Sequence, residues 1–293
     1  SGRGSTSLVF TGSLSNITHA LNTGLIVTND LNYSGNMSLT FTFDDNGNTG
    51  TGATTTTTSS YIEVKAVADL VVFDMVDLQT DEDVPVSLNI SLSVSDTSES
   101  ISTVTISSMP VGTSLSSGTE TEGVWNVDPA QVSFLVLTPS LNWHGLISLV
   151  INATTAEPNG STMLSSQVLE VSVGPIPDAP ILNVTNSSGD EDTVISLDIQ
   201  AALVDIDGSE YLICEISGVP LGATLLPSSS FISSGKFSVS IDDLPTLSII
   251  PPLHDDANFT LTVSLAAVDN TTSVKAWTIK DINVVVSAVA DPC

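Results

Sequence analysis

The side chains in this sequence that are grouped closely enough to do chemistry are carboxylates. Asp69 is followed by Asp81, Glu82 and Asp83, and Asp178 by Asp190, Glu191 and Asp192. The segment Asp205-Ile206-Asp207-Gly208 sets alternate carboxylates on one side of a turn, with Glu210 two residues beyond. Acids grouped in this way suit divalent cation binding, because a hard cation takes several oxygens at once. They also serve as turn caps that repel their neighbours, since an Asp side chain accepts hydrogen bonds from the backbone close by. Both readings remain open. Other chemistry is poorly served: His19, His144 and His254 are scattered, no His/Cys pair has metal-ligand spacing, and no phosphate loop or nucleophile elbow occurs. Asp242 with Asp243 and Asp255 with Asp256 are adjacent pairs that read as acids of surface loops rather than as an acid/base couple in a cleft.

The elements that must position these acids repeat. AVADLVV at 66–72 leads to TDEDVPVSLNI at 80–90; IPDAP at 176–180 leads to GDEDTVISLDI at 189–199; AVADP recurs at 288–292. Asp69, Asp178 and Asp291 are thus equivalent, 109 and 113 residues apart. A period of about 110 residues is the size of one small β-sandwich. The spacing predicts the C-terminal part of a module over 1–68 and complete modules over 69–177 and 178–291, joined by short Asp/Pro linkers. LIVTNDLNYSGNMSLTFTF at 25–43 matches LVLTPSLNWHGLISLVINA at 135–153, with Asn32 on Asn142, Tyr33 on Trp143 and Gly35 on Gly145. Both segments read as strand, turn, strand, with the aromatic under the turn and Gly supplying a positive φ. Short apolar-alternating runs between Pro/Gly turns predict an all-β Greek-key sandwich for each module, arranged end to end. The Thr run 54–58 favours extended backbone, no amphipathic helix is evident, and AALV at 201–204 is at most one turn.

Five Lys and Arg against 33 Asp and Glu give a net charge of −28, which excludes nucleic acid as a partner, because phosphate binding needs basic side chains. A mean hydropathy of +0.32 excludes disorder, and no apolar run approaches the roughly 18 residues of a membrane span. Cys214, in the apolar run YLICEI, reads as a buried free thiol, and Cys293 sits just past a linker. Ten of 17 Asn head an N-x-S/T sequon: Asn16, Asn32, Asn36, Asn89, Asn152, Asn159, Asn183, Asn186, Asn258 and Asn270. That is about twice what the Ser and Thr content gives by chance, and points to a secreted chain carrying covalent glycans.

The order DEDT, LVDIDGSEYL, ISGVPLGATL, LSIIPP and VVVSAVADP resembles the cadherin-like and Ig-like tandem repeats of large cell-surface adhesins, over essentially the whole chain. The matching positions are Asp190, Glu191, Asp192, Asp205, Asp207, Gly208, Glu210, Gly218, Pro220, Gly222 and Asp291; in the preceding module Pro110 and Gly112 match Pro220 and Gly222. The resemblance implies Ca²⁺ at the linkers, held by Asp69, Asp81, Glu82 and Asp83, by Asp178, Asp190, Glu191 and Asp192, and at an internal cluster by Asp205, Asp207 and Glu210. In the second module Ser95, Thr97 and Ser100 replace that internal cluster, which implies no such site there. The expected role is a non-enzymatic structural segment of an extracellular filament or stalk, partnered by adjoining repeats or copies of itself. An adhesin module binding a glycan or another cell is the alternative, and accessory repeats of a carbohydrate-active enzyme a distant one. A sequence starting inside a module would leave Leu25, Val27, Leu39 and Phe41 uncovered, to be met by a longer polypeptide or a neighbour's donated strand.

Overall fold

The computed structural model describes residues 6–48, 50, 52–227 and 229–290; Asp291 and Cys293 lie outside them. The chain divides into two compact units, one of Ser1–Leu70 with Val94–Ser100 and Thr155–Met163, the other of Val71–Ser93, Ile101–Thr154 and Leu164–Cys293.

One strand order occurs twice. In the first copy a six-stranded sheet runs Leu78–Asp81, Thr162–Gly174, Gly145–Ala156, Ser100–Ser107, Val124–Val127, Thr119–Thr121, and a three-stranded sheet runs Val86–Ser87, Val136–Thr138, Ser114–Leu115. In the second copy the six-stranded sheet runs Ser187–Asp190, Lys275–Ser287, Phe259–Asp269, Glu210–Ser217, Lys236–Val239, Ser230–Ser233, with Ile195–Ser196, Ser248–Ile250 and Thr224–Leu226 opposite. Period-2 alternation builds each core: Gly145–Ala156 turns Ile147, Leu149, Ile151 and Ala153 inward, where they meet Leu137 and Leu88. Leu261, Val263 and Leu265 do the same against Ile249 and Leu197, and buried Cys214 joins them as a free thiol. Burial, and then the adjacent Glu215 charge, push that thiol's pKa to about 11, so it behaves as an apolar side chain.

One pairing positions the site. Leu78–Asp81 runs parallel to the end of the last strand, with Leu78 opposite Val171 and Asp81 opposite Gly174. Ser187–Asp190 pairs in the same way with Val284–Ser287. Glu82 is therefore carried to the end of its sandwich from which the chain leaves, and its N–H donates to the Gly174 carbonyl at 2.9 Å.

The matched turns share a backbone. Asn32 and Asn142 have φ of 59° and 50°, and Gly35 and Gly145 of 127° and 137°. A β-carbon at Gly145 would lie 3.1 Å from the Trp143 ring, so the aromatic does pack under the turn. Two expectations fail. Leu14–Asn22 is a helix, capped by the Ser13 side chain, because an N-cap serine precedes a stretch whose apolar residues fall on one face. Residues 25–27 form no strand, since no neighbouring strand pairs with them as Val86–Ser87 and Ser114–Leu115 pair with Val136–Thr138. Ala201 and Ala202 close the strand Ile199–Ala202, within the limit of one turn at most set for this segment. The run VSLNISLSV at 86–94 forms two short strands, Val86–Ser87 and Ser91–Ser93, parted at Asn89, whose φ is 49°. The hairpin of Gly35–Asp44 with Thr55–Val64 forms with full register, yet none of its residues is buried.

Candidate functional site

The three residues of each DED triplet do three different things. Asp83 and Asp192 adopt positive φ and accept, through Oδ1, the N–H of Asn142 and of His254, each at 2.9 Å. They are turn pins, consistent with the capping reading. Asp81 and Asp190 are exposed at the ends of the parallel edge strands. Only the central acids are buried: Glu82 is 5 % exposed and Glu191 9 %. Each receives a backbone N–H from the segment after its sandwich, Glu82 Oε1 from Ile176 and Glu191 Oε1 from Val289.

The acids regroup accordingly. Glu82 joins Asp205 and Asp207, with carboxylate oxygens all within 4.8 Å of one another. Its partners thus come from the linker 94 residues downstream and the loop beyond, not from Asp69. Asp178 leaves Asp190, Glu191 and Asp192 and associates with Glu210, whose Oε1 accepts the Asp178 N–H at 3.0 Å. Asp205 Oδ1 accepts the Asp207 N–H at 2.9 Å and Oδ2 the Ser209 hydroxyl at 3.3 Å, while Asp207 Oδ1 accepts the Ser209 N–H at 2.8 Å. The DIDGS turn therefore aims its own carboxylates. His144 Nδ1 contacts Asp207 Oδ2 at the rim.

Charge is concentrated here at a cost. Burial pushes Glu82 above the usual glutamate range despite the Ile176 N–H, and Asp205, Asp207 and Asp83 add repulsion. Burial also raises Glu210, to about 7, against the Asp178 N–H and with repulsion from Asp205, Glu82 and Asp178. Asp207 is the exception: burial raises it, but Ser209 and His144 outweigh that and leave it low. Glu82 Oε2 and Glu210 Oε2 are buried without a hydrogen-bond partner among the described residues. An unpaired buried carboxylate oxygen is costly unless a cation completes it, so these residues fit a divalent metal.

Sequence reasoning missed four acids or bases. Asp269, 1 % exposed, holds Thr271 and Thr272 through Oδ1 and leaves Oδ2 without a partner; it is the cross-strand neighbour of Glu210. Around Asp69 the counterparts are Glu99 and Glu157, 111 and 112 residues earlier, not Ser100. Glu99 Oε2 accepts the Asp69 N–H at 2.8 Å, Ser98 donates to Glu157 at 3.0 Å, and Ser95 donates to Asp69 at 2.9 Å. Glu99 Oε1 and Glu157 Oε2 are again buried and, among the described residues, unpartnered, so acids do persist where the serine substitutions implied none. The available signal was the repeat spacing combined with the acid that opens each hairpin turn. His144 was the fourth miss, being one residue past the matched Asn-aromatic pair.

No protein-family model and no curated protein matches the sequence. Among solved structures, mouse cadherin-23 EC22–24 aligns with TM-score 0.42 and 17 % identity, covering 90 % of this chain and 78 % of that one. PcdhgB3 EC1–4 aligns with TM-score 0.45 and 12 % identity, over 90 % and 60 %. Protocadherin Gamma B2 extracellular cadherin domains 1–5 align with TM-score 0.39 and 16 % identity, over 87 % and 46 %. The structural neighbours of this all-β chain are cadherin extracellular domains, and its likeness to them is one of fold.

Proposed function

We propose that this chain is a non-enzymatic, extracellular repeat segment, with modules at 69–177 and 178–291 and a partial one at 1–68, whose linkers are stiffened by a divalent cation, Ca²⁺ being the ion that a set of carboxylates suits best. One observation carries it: Glu82 from one sandwich and Asp205 and Asp207 from the next converge while buried carboxylate oxygens on both sides lack partners. The ligands are Glu82, Asp178, Asp205, Asp207 and Glu210, with Asp269 behind them. Asp69, Glu99 and Glu157 form a reduced counterpart, and Glu191 would serve a following module. The role is mechanical, as part of a cell-surface filament or stalk built from adjoining repeats, and the exposed sequons at Asn16, Asn36, Asn89, Asn183, Asn186 and Asn258 carry its glycans. Solution scattering with chelator and with millimolar Ca²⁺ tests the reading. The expected result is a longer, stiffer particle with Ca²⁺ at unchanged β signal; superimposable profiles, with no heat of Ca²⁺ binding, would refute it.

A further inference from the structure

The six-stranded sheet that contains Phe259–Asp269 is apolar over part of the face it turns to solvent, where such a face is ordinarily polar. Leu261, Val263 and Leu265 point into the core, so Ser264, Ala266 and Val268 point out. Their cross-strand neighbours set out three rows: Tyr211, Val268 and Lys275; Ile213, Ala266 and Trp277; Glu215, Ser264 and Ile279. Ala266 and Val268 are buried between larger neighbours, while Tyr211, Trp277 and Ile279 stay 48 %, 40 % and 60 % exposed. Past Ile279 the face turns polar, with Lys236 on Glu215 at 2.7 Å and Thr262 donating to Asp281 at 2.8 Å. Lys275 Nζ lies 5.7 Å from the Trp277 ring centroid and has no ion pair among the described residues.

The fold does not require this surface. Val104 and Cys214 hold the same place, opposite Val127 and Val239, so Ile101 and Thr103 stand in the earlier sheet where Tyr211 and Ile213 stand here. Gly174 and Ser287, opposite Asp81 and Asp190, likewise put Leu164 and Ser166 in the places of Trp277 and Ile279. The earlier sheet also carries a sequon on its outward face, at Asn152, where the later one has Ser264. No sequon falls on Glu210–Ser217, Phe259–Asp269 or Lys275–Ser287. An apolar face clear of attached sugar suits a protein surface as its cover, since a glycan would hold two sheets apart.

We propose that this face pairs with the same face of a second molecule of the chain about a two-fold axis. The outward residues along Lys275–Ser287 begin Lys275, Trp277, Ile279 and Asp281: a cation, two apolar side chains and an anion. Laid antiparallel on itself, that order sets Lys275 against Asp281 and Trp277 against Ile279 on both sides, which is the self-complementarity a two-fold interface needs. Trp277, Ile279, Tyr211 and Ile213 form its desolvated centre, and the charged pairs form its rim. Two molecules of net charge −28 repel overall, so the unpaired Lys275 is the group that fixes the register. The pairing uses none of the proposed cation ligands and stands apart from the linker.

Sedimentation equilibrium of the whole chain from a secretory host, over a concentration series in chelator and again in millimolar Ca²⁺, tests the pairing. Ile279→Ser, Lys275→Asp, the double variant Lys275→Asp/Asp281→Lys and Leu164→Ser are run beside the wild type, with circular dichroism confirming their β content. A dimer is expected in both buffers, weakened about tenfold or more by Ile279→Ser. Lys275→Asp should weaken it too, the double variant should return it to within about threefold of wild type, and Leu164→Ser, at the matching place in the earlier sheet, should leave it intact. A wild type that is monomeric at every concentration would overturn the proposal and hand the face to a partner other than the chain itself. So would a dimer that forms only with Ca²⁺, one indifferent to Ile279→Ser, or a double variant that associates no better than Lys275→Asp.

Discussion

At the scale of single residues, Glu210 makes the strongest claim. Its pKa in the folded chain is about 7, against an ordinary value of 4.5. Between these values the folded chain keeps a proton that the unfolded chain has released, so stability falls as pH rises through the window. Thermal melts in chelator from pH 4.5 to 7.5 should show that decline. Glu210→Gln should flatten it, and a bound divalent cation should reverse it by favouring the ionised form. A second residue-scale prediction concerns Gly145, whose φ of 137° strains any side chain and whose added methyl group would press on the Trp143 ring at 3.1 Å. Gly145→Ala should cost about 1–3 kcal/mol in urea unfolding, while Gly160→Ala, with φ of 90° but open space, should cost only its backbone strain. Much of the residue scale was legible in the sequence: the Asn-aromatic-Gly match and the buried thiol follow from pattern. What was not legible is which acid of each DED triplet turns inward, because that depends on a three-residue switch of backbone from strand to positive φ.

At the scale of elements, the two 3₁₀ turns offer a controlled comparison. Pro129–Phe134 is capped by Asp128, whose Oδ1 accepts the Ala130 N–H at 2.9 Å, whereas Ile241–Thr246 begins at Ser240 with no side-chain cap. Asp128→Ala should therefore lower stability by about 1 kcal/mol and Ser240→Ala by almost nothing, read by chemical denaturation. Leu149→Ala, removing a fully buried side chain from the central strand, should cost about 2–5 kcal/mol. Strand existence followed from alternation in both sandwiches, since inward positions such as Ile147, Leu149 and Ile151 are two apart. The helix Leu14–Asn22 did not, because a single short amphipathic stretch carries little signal beside so many Ser and Thr residues. The regrouping of Glu82 with Asp205 was also hidden: it follows from parallel pairing with a strand more than 80 residues downstream, which no local pattern records.

At the scale of the molecule, the sequons divide by how the fold uses each side-chain amide. Asn32, Asn159 and Asn270 donate Nδ2 hydrogens to the carbonyls of Ser95, Ala66 and Gly208. Asn152 is half-buried in a central strand. These four should show lower occupancy than Asn16, Asn36, Asn89 and Asn183, as read by site-resolved mass spectrometry of protein from a secretory host. Equal occupancy everywhere would mean that modification precedes any influence of the fold. The −28 charge acts at this scale as well: with so few cations to offset it, long-range repulsion should relax as ionic strength rises, separately from any specific ion.

The division of the proposed ligand set between Glu82 and the Asp205–Asp207 turn has a further consequence. The peptide from Gly174 to Asp178 is the covalent tie between the two halves, and Glu82 grips it through Ile176 while Glu210 grips it through Asp178. Severing it would turn intramolecular ligands into two separate bodies, and the high effective concentration that assembles them would vanish. Affinity for the ion should then collapse in a single step rather than by half. Conversely, an occupied site should shield this short segment from endoproteases, so that a bound cation would act as a lock on chain continuity, and its withdrawal should expose where the chain is cut first.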